Sequence, residues 1–230
     1  MASASVEIRT ILFDLDDTIC EFIQSQESVL AEAFDTVAAN PFCSLDEYHQ
    51  QYGSYLDDSE NVEDLRERCF ADLAEEKGYD PELGRNVAAA YSSLRDYSVR
   101  FLPGARPALA ELAADYTLGL ITNGSPEIQQ PKLASLDLSD TFETVVYAGY
   151  ETPAKPDPKP FHRALDTLGV PPERAVYVGN SLESDVAGAQ AAHINAVWLS
   201  DNRSSKPNTH VPEYTIDSLG ELQTPPLPWE

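Results

Sequence analysis

An apolar run, Ile11 to Phe13, breaks into Asp14, Asp16 and Asp17, and the hydrophobic period changes there. The first strand is predicted over roughly Glu7 to Phe13. From Glu21 to about Ser98 the apolar positions recur at helical spacing. Phe22, Val29, Ala33 and Val37 form one stripe, and Leu65, Cys69, Ala71 and Leu73 belong to another. Tyr79-Asp80-Pro81 reads as a helix start, with Asp80 at the N-cap and Pro81 at the first helical position. No segment of this block alternates as a strand, so it is expected to hold about four helices inserted after the first strand.

After "FLPGA" the pattern changes again. Apolar strands "YTLGLIT", "ETVVYAG", "RAVYVG" and "NAVWLS" alternate with amphipathic helical stretches. That order predicts an α/β fold, a parallel sheet covered on both faces. The expected division is an α/β core from 1–20 and 99–230 with a helical insertion at 21–98.

Open parallel sheets bind ligands beyond the carboxyl ends of their strands, which makes the residues after each strand the informative ones. The first strand ends in Asp14 and Asp16, and the second in Thr122-Asn123-Gly124. "YETPAKPDPKPF", holding Lys155, follows the third, and "GNSLESD", with Asn180 and Asp185, ends the fourth. Folded into one sheet, these put two or three carboxylates, a hydroxyl and an ammonium on a single crevice. The set suits a phosphoryl group with a magnesium ion. Mg²⁺ takes oxygen ligands, commonly one or two carboxylates with phosphate and water completing the shell. An Asp beside it can attack phosphorus, while a lysine and a hydroxyl offset charge on the transferring group.

Taken singly, each piece has a structural explanation. In an acidic chain the aspartates can be solvated charge. An EF-hand does not fit, because Ile19 stands where that loop requires Gly and Ser25 where it requires Glu. Asn123-Gly124 resembles a hairpin turn, but Ser125-Pro126-Glu127 supplies an N-cap, a first-position proline and a first-turn acid, which favours a helix. Pro131 is then expected to kink or restart that helix. Lys155 between prolines can be a stiff linker, and "GNSLESD" a loop capping "VAGAQAA". Four such coincidences at four successive strand ends make a poor account.

Charge narrows the partners. Thirty-nine acidic residues against fifteen basic ones give a net charge of −24 spread along all 230 residues. Such a field repels nucleic acid and anionic lipid, so neither is expected as a partner. Five of the basic residues are lysines, and an acidic, lysine-poor chain fits work at high salt, where self-repulsion is screened. No apolar run approaches the roughly 20 residues of a membrane-spanning helix. "MASASVEIRT" lacks a basic region followed by an apolar one. Cys20, Cys43 and Cys69 are spaced too widely for a metal knuckle and read as reduced thiols of a cytoplasmic protein.

"DLDDT", "TNG", the lysine of "AKPDP" and "GNSLESD", in that order, resemble the four motifs of the haloacid dehalogenase superfamily. The likeness covers nearly the whole chain, including "FLPGARPALAEL" and the helical insertion, which resembles the family's cap. The fold it implies is a Rossmann-like parallel sheet core carrying a helical-bundle cap. The resemblance implies that Asp14 is the nucleophile forming an aspartyl-phosphate. It also implies that Asp16 is the general acid and base, its backbone carbonyl binding Mg²⁺. Thr122 and the amide of Asn123 would hold phosphoryl oxygens, Lys155 would tether nucleophile and phosphate, and Asn180 and Asp185 would sit at the metal with Asp14. Asn180 departs from the family, which usually has Asp there.

The expected activity is Mg²⁺-dependent hydrolysis of a small phosphorylated metabolite. One competing reading is a dehalogenase or other C–X hydrolase of the superfamily, which lacks an acid two residues after the nucleophile. Another is a phospho-accepting regulatory domain, which is shorter and lacks both the insertion and the DxD. Phe22, Gln26, Tyr48, Tyr52 and Arg66 are candidates for choosing the leaving group. The insertion has no evident basic cluster, which disfavours multiply charged substrates.

Overall fold

A computed structural model describes residues 7–55, 59–94, 99–200 and 210–230. By its internal contacts the chain divides into two units, one of residues 1–21 and 99–230 and one of residues 22–98.

The first unit is built on a six-stranded, wholly parallel sheet. Its strands are β1 (Thr10–Phe13), β4 (Thr117–Asn123), β5 (Thr144–Ala148), β6 (Ala175–Gly179), β7 (Asn195–Leu199) and β8 (Tyr214–Ile216), in the order β5-β4-β1-β6-β7-β8. β1 is central, and Phe13 is in register with Leu120 of β4 and Val178 of β6. All four of its residues are buried, as an interior strand of a doubly covered sheet requires. The chain builds outward from β1 through β4 and β5, then returns to place β6, β7 and β8 on the other side. That reversal is the switch point where such sheets open a crevice.

Helices α5 (Ala105–Asp115), α6 (Pro126–Ser135), α7 (Lys159–Leu168) and α8 (Ala187–Ala191) belong to this unit. One core cluster joins Leu12, Ile121 and Tyr177 of the sheet to Phe161 and Leu165 of α7 and Ala189 of α8. The expected strands are present, although the first begins at Thr10 rather than Glu7. Three short strands were not expected: β8, β2 (Cys20–Phe22) and β3 (Val99–Phe101), the last two pairing as a two-stranded sheet. Phe22 therefore lies in a strand rather than on the helical stripe. Pro131 does not restart α6, which runs unbroken through it.

The second unit holds α1 (Gln26–Thr36), α2 (Leu45–Tyr52), α3 (Val62–Glu76) and α4 (Pro81–Leu94). Their starts carry side-chain caps, of which the sequence pattern predicts the one at Asp80. Ser25 accepts from the Ser28 amide, Ser44 and Glu47 form a capping box, and the Asp80 carboxylate accepts from the Glu82 amide before Pro81 opens α4. Val29, Ala33, Leu65, Cys69 and Leu73 bury into one core with Tyr48, Phe70 and Tyr91. Tyr48 stacks on Phe70 at 4.8 Å between ring centroids. Cys20, Cys43 and Cys69 are all buried and unbridged. Among the described residues no helix is long and apolar enough to cross a membrane.

Candidate active site

β1 runs apolar to its end and delivers Asp14 at the carboxyl edge of the sheet, where the Asp14 amide donates to Val178 O at 3.0 Å. The chain then turns sharply. Asp17 adopts a left-handed conformation (φ 56°), and its amide donates to Cys20 O at 2.7 Å. Aspartate tolerates that conformation better than most residues. The turn separates the three carboxylates. Asp14 and Asp16 line a cavity of about 120 Å³ with Thr122, Asn123, Lys155, Asn180, Ser184 and Asp185. Asp17 instead lines a neighbouring cavity of about 470 Å³ with Glu21, Asn180 and Asp217. All seven residues singled out in the sequence thus meet at one place.

Lys155 organises the floor of this cavity. Its Nζ, with three N–H donors, lies within reach of four acceptors: Asp14 Oδ1 and Asp185 Oδ1, each at 2.7 Å, Ile121 O at 3.0 Å and the Tyr177 hydroxyl at 2.8 Å. Burial opposes the charged ammonium, but Asp14 and Asp185 outweigh it and raise its pKa. The side chain of Asn123 brackets the backbone of Lys155, accepting from its amide at 2.9 Å and donating to its carbonyl at 3.3 Å. Asn123 therefore fixes the lysine loop with its side chain, a task the sequence did not suggest. Thr18 is fully buried, and its hydroxyl lies 3.3 Å from both Asp14 Oδ2 and Asn180 Oδ1.

Asp185 reaches the cavity from a π turn, Leu182–Val186, that follows β6. Its Oδ2 accepts from the Ser181 amide at 2.9 Å. Burial pushes the Asp14 carboxyl up to about 7; Lys155 works against the shift and Asp185 adds to it. Two buried carboxylates thus share one ammonium, which leaves negative charge for a cation to neutralise. Among the described residues no group of three His, Cys, Asp or Glu side chains forms a metal site by itself. The side-chain oxygens of Asp14, Asp185 and Asn180, which line the cavity together, are of the kind that could hold Mg²⁺, which needs only one or two carboxylates.

Besides Ser184, three residues that hold the site's side chains escaped the sequence reading. Tyr177, on β6, looks like core and is core, yet its hydroxyl lies 3.1 Å from Asp185 Oδ1 beneath Lys155. Burial first, then the charges of Asp185 and Asp14, hold the Tyr177 phenol well above its usual pKa. The other two lie on α6. Lys132 Nζ donates to Asp16 Oδ1 at 2.6 Å and Oδ2 at 2.8 Å. Gln129 Nε2 lies 3.0 Å from Asp16 Oδ2, 2.9 Å from Thr122 Oγ1 and 2.9 Å from Asn123 O. A signal existed in the composition, because a chain so poor in lysine spends two of its five at this crevice.

Comparison with known proteins identifies the family. Residues 8–193 match the family model of the haloacid dehalogenase-like hydrolases. The chain is 31% identical over 224 residues to a glyceraldehyde 3-phosphate phosphatase of Pyrococcus furiosus, covering 94% of this chain and 90% of that protein. It is 36% identical over 160 residues to a phosphoserine phosphatase of Thermus thermophilus, covering 69% and 64%. Among solved structures, a 2-haloacid dehalogenase from Pseudomonas syringae pv. tomato superposes with a TM-score of 0.69 at 28% identity, covering 94% of this chain and 96% of that one. The chain belongs to the haloacid dehalogenase-like hydrolases.

Proposed function

We propose that the protein is a Mg²⁺-dependent phosphatase of small phosphorylated metabolites that works through an aspartyl-phosphate. The observation that carries this reading is Asp16, a second carboxylate two residues after Asp14 that lines the same cavity. Splitting a carbon–halogen bond releases a halide that needs no proton, whereas an alcohol leaving phosphorus does. Two of the relatives named above, each at least 31% identical, are phosphatases of small phosphate esters.

In the first step an Asp14 carboxylate oxygen attacks phosphorus and the bond to the ester oxygen breaks. Asp16 gives its proton to the departing alkoxide. Lys155 and Thr122, with the Asn123 backbone amide, stabilise the oxygens of the transferring group. In the second step water attacks the aspartyl-phosphate, Asp16 takes the proton from that water, and inorganic phosphate leaves. Asp14, Asp185, the Asp16 carbonyl and Asn180 would hold Mg²⁺, whose charge offsets that of the phosphoryl group and keeps Asp14 ionised.

The helical unit acts as the family's cap. The net charge of −24 with few lysines, and three buried unbridged cysteines, support work in a salt-rich cytoplasm. The reading is tested by phosphate release from p-nitrophenyl phosphate and a panel of alkyl phosphates, with and without Mg²⁺. Turnover that needs Mg²⁺ and vanishes in Asp14→Asn supports it. Halide release from a 2-haloacid, without phosphate release from any ester, would overturn it.

A further inference from the structure

We infer that Lys132 and Gln129 are positioning residues that aim the Asp16 carboxyl and the Thr122 hydroxyl at the reacting group. The inference rests on the phosphatase reading and deepens it.

The two residues lie three apart on α6 and so share a helix face. Lys132 is only 2% exposed at its side chain, against 34% for Asp16. The ammonium is thus sealed under a carboxyl that opens into the cavity. Burying an ammonium is costly, and such a pair is weak evidence of stabilisation. What it does supply is direction, because both Asp16 oxygens are held. Oδ2 takes two contacts, from Lys132 at 2.8 Å and Gln129 at 3.0 Å, while Oδ1 takes one, from Lys132 at 2.6 Å. The carboxyl is thereby fixed in orientation at the cavity it lines, where it can pass a proton to the leaving alkoxide as the P–O bond breaks.

Gln129 links this carboxyl to the phosphate side of the site. Its amide nitrogen faces the Asp16 carboxylate, the Asn123 carbonyl and the Thr122 hydroxyl. Carbonyl and carboxylate oxygens accept, so the amide must present its NH₂ there, and its Oε1 is left buried without a hydrogen-bond partner. An amide nitrogen offers no acceptor. Its two N–H hydrogens face three acceptors, and Thr122 Oγ1 finds no acceptor in that nitrogen, which leaves its own proton for an oxygen in the cavity that Thr122 lines. Gly124 makes room for this arrangement. Its φ is +134°, and a Cβ there would sit 3.1 Å from Gln129 Nε2.

Removing the clamp should hurt most where a proton must be delivered. The test compares Lys132→Met with wild type on an alkyl phosphate and on p-nitrophenyl phosphate, whose leaving group departs without a proton, with melting temperature recorded to confirm folding. For the alkyl ester kcat should fall about 10²-fold, the scale of a small misplacement of a catalytic group, while KM stays within about twofold. The loss in kcat/KM should be distinctly smaller for the aryl ester. In an Asp16→Asn background, adding Lys132→Met should change the single-turnover burst of p-nitrophenolate by no more than about twofold, since the lysine acts through the missing carboxyl. Equal losses in kcat/KM on both esters, or an undiminished further loss of the burst in the Asp16→Asn background, would overturn the assignment. Should Lys132→Met not fold, Gln129→Ala carries the same comparison with the same deciding outcomes. Wild type inert on both esters would instead refute the phosphatase reading and remove this assignment with it.

Discussion

Gly179 lacks a side chain at the point where the Asp185 carboxyl lies: a Cβ built there would fall 2.5 Å from Asp185 Cγ. No methyl group fits at that distance, so the glycine is what lets Asp185 fold back over the end of β6 and meet Lys155. Gly179→Ala is expected to displace Asp185 while leaving the sheet intact. Loss of a partner that orients a metal site typically costs about 10–100-fold in affinity. Mg²⁺ titration of Gly179→Ala should show a drop of that size, and affinity equal to wild type would refute the crowding argument.

Asn180 supplies an amide where the family usually has a carboxylate. The wild-type protein should therefore bind free Mg²⁺ weakly, and its apparent metal requirement should fall as substrate saturates. Asn180→Asp should tighten metal binding at least about fivefold, since unit charges roughly 4 Å apart interact by about 1–4 kcal/mol between bulk and near-surface dielectric. Calorimetric titration of both proteins decides it. Equal affinities would mean that residue 180 is not at the metal or that its charge has been replaced.

Asp14 gives a pH signature to the metal-free protein. Its folded pKa stands at about 7 against 3.8 for the free side chain. The native state thus holds the proton more tightly than the unfolded state, and stability falls as pH rises from about 4 to about 7. Above that range this contribution is flat. In EDTA, wild type should lose more stability than Asp14→Asn between those limits, and the difference between the two melting curves isolates the group. Parallel curves would contradict the shift.

The acidic surface gives a salt signature. Self-repulsion from a net charge of −24 weakens as ions screen it, so the melting temperature should climb from low to molar KCl. Simple screening is nearly complete at about 1 M, where the Debye length is roughly 3 Å. A melting temperature indifferent to salt across that range would count against adaptation to brine.

The sequence disclosed the site where local pattern and position coincide. Asp14 directly follows β1, Thr122 lies at the end of β4, and Lys155 and Asp185 lie in the segments after β5 and β6, so the strand order brings them together. Lys132 escaped because a lysine on a helix is usually solvated, and only the packing of α6 shows that this one is sealed. Gln129 had no motif to flag it. Tyr177 alternates as an ordinary core residue, and nothing local says that its hydroxyl lies under a charged group. β8 was invisible for another reason, since three residues between Glu213 and Asp217 carry too little periodicity to read. Ser125 sits at the N-cap of α6 as its type suggests, but its hydroxyl makes no capping bond and is buried without a partner.

The central place of β1 has a consequence for synthesis. The strand leaves the ribosome ahead of both its neighbours, which arrive much later. Lys155 and Asp14 are 141 positions apart, and Thr18 and Asn180 are 162 apart. Meanwhile the helical unit can form from contacts near in sequence, such as those between α3 and α4. β1 must then wait with both edges unpaired, an exposed template of four buried-type residues, until β4 and β6 emerge. Activity is thus a report on the whole core having closed. A nascent chain halted before residue 185 should release no phosphate, however well folded its helices are.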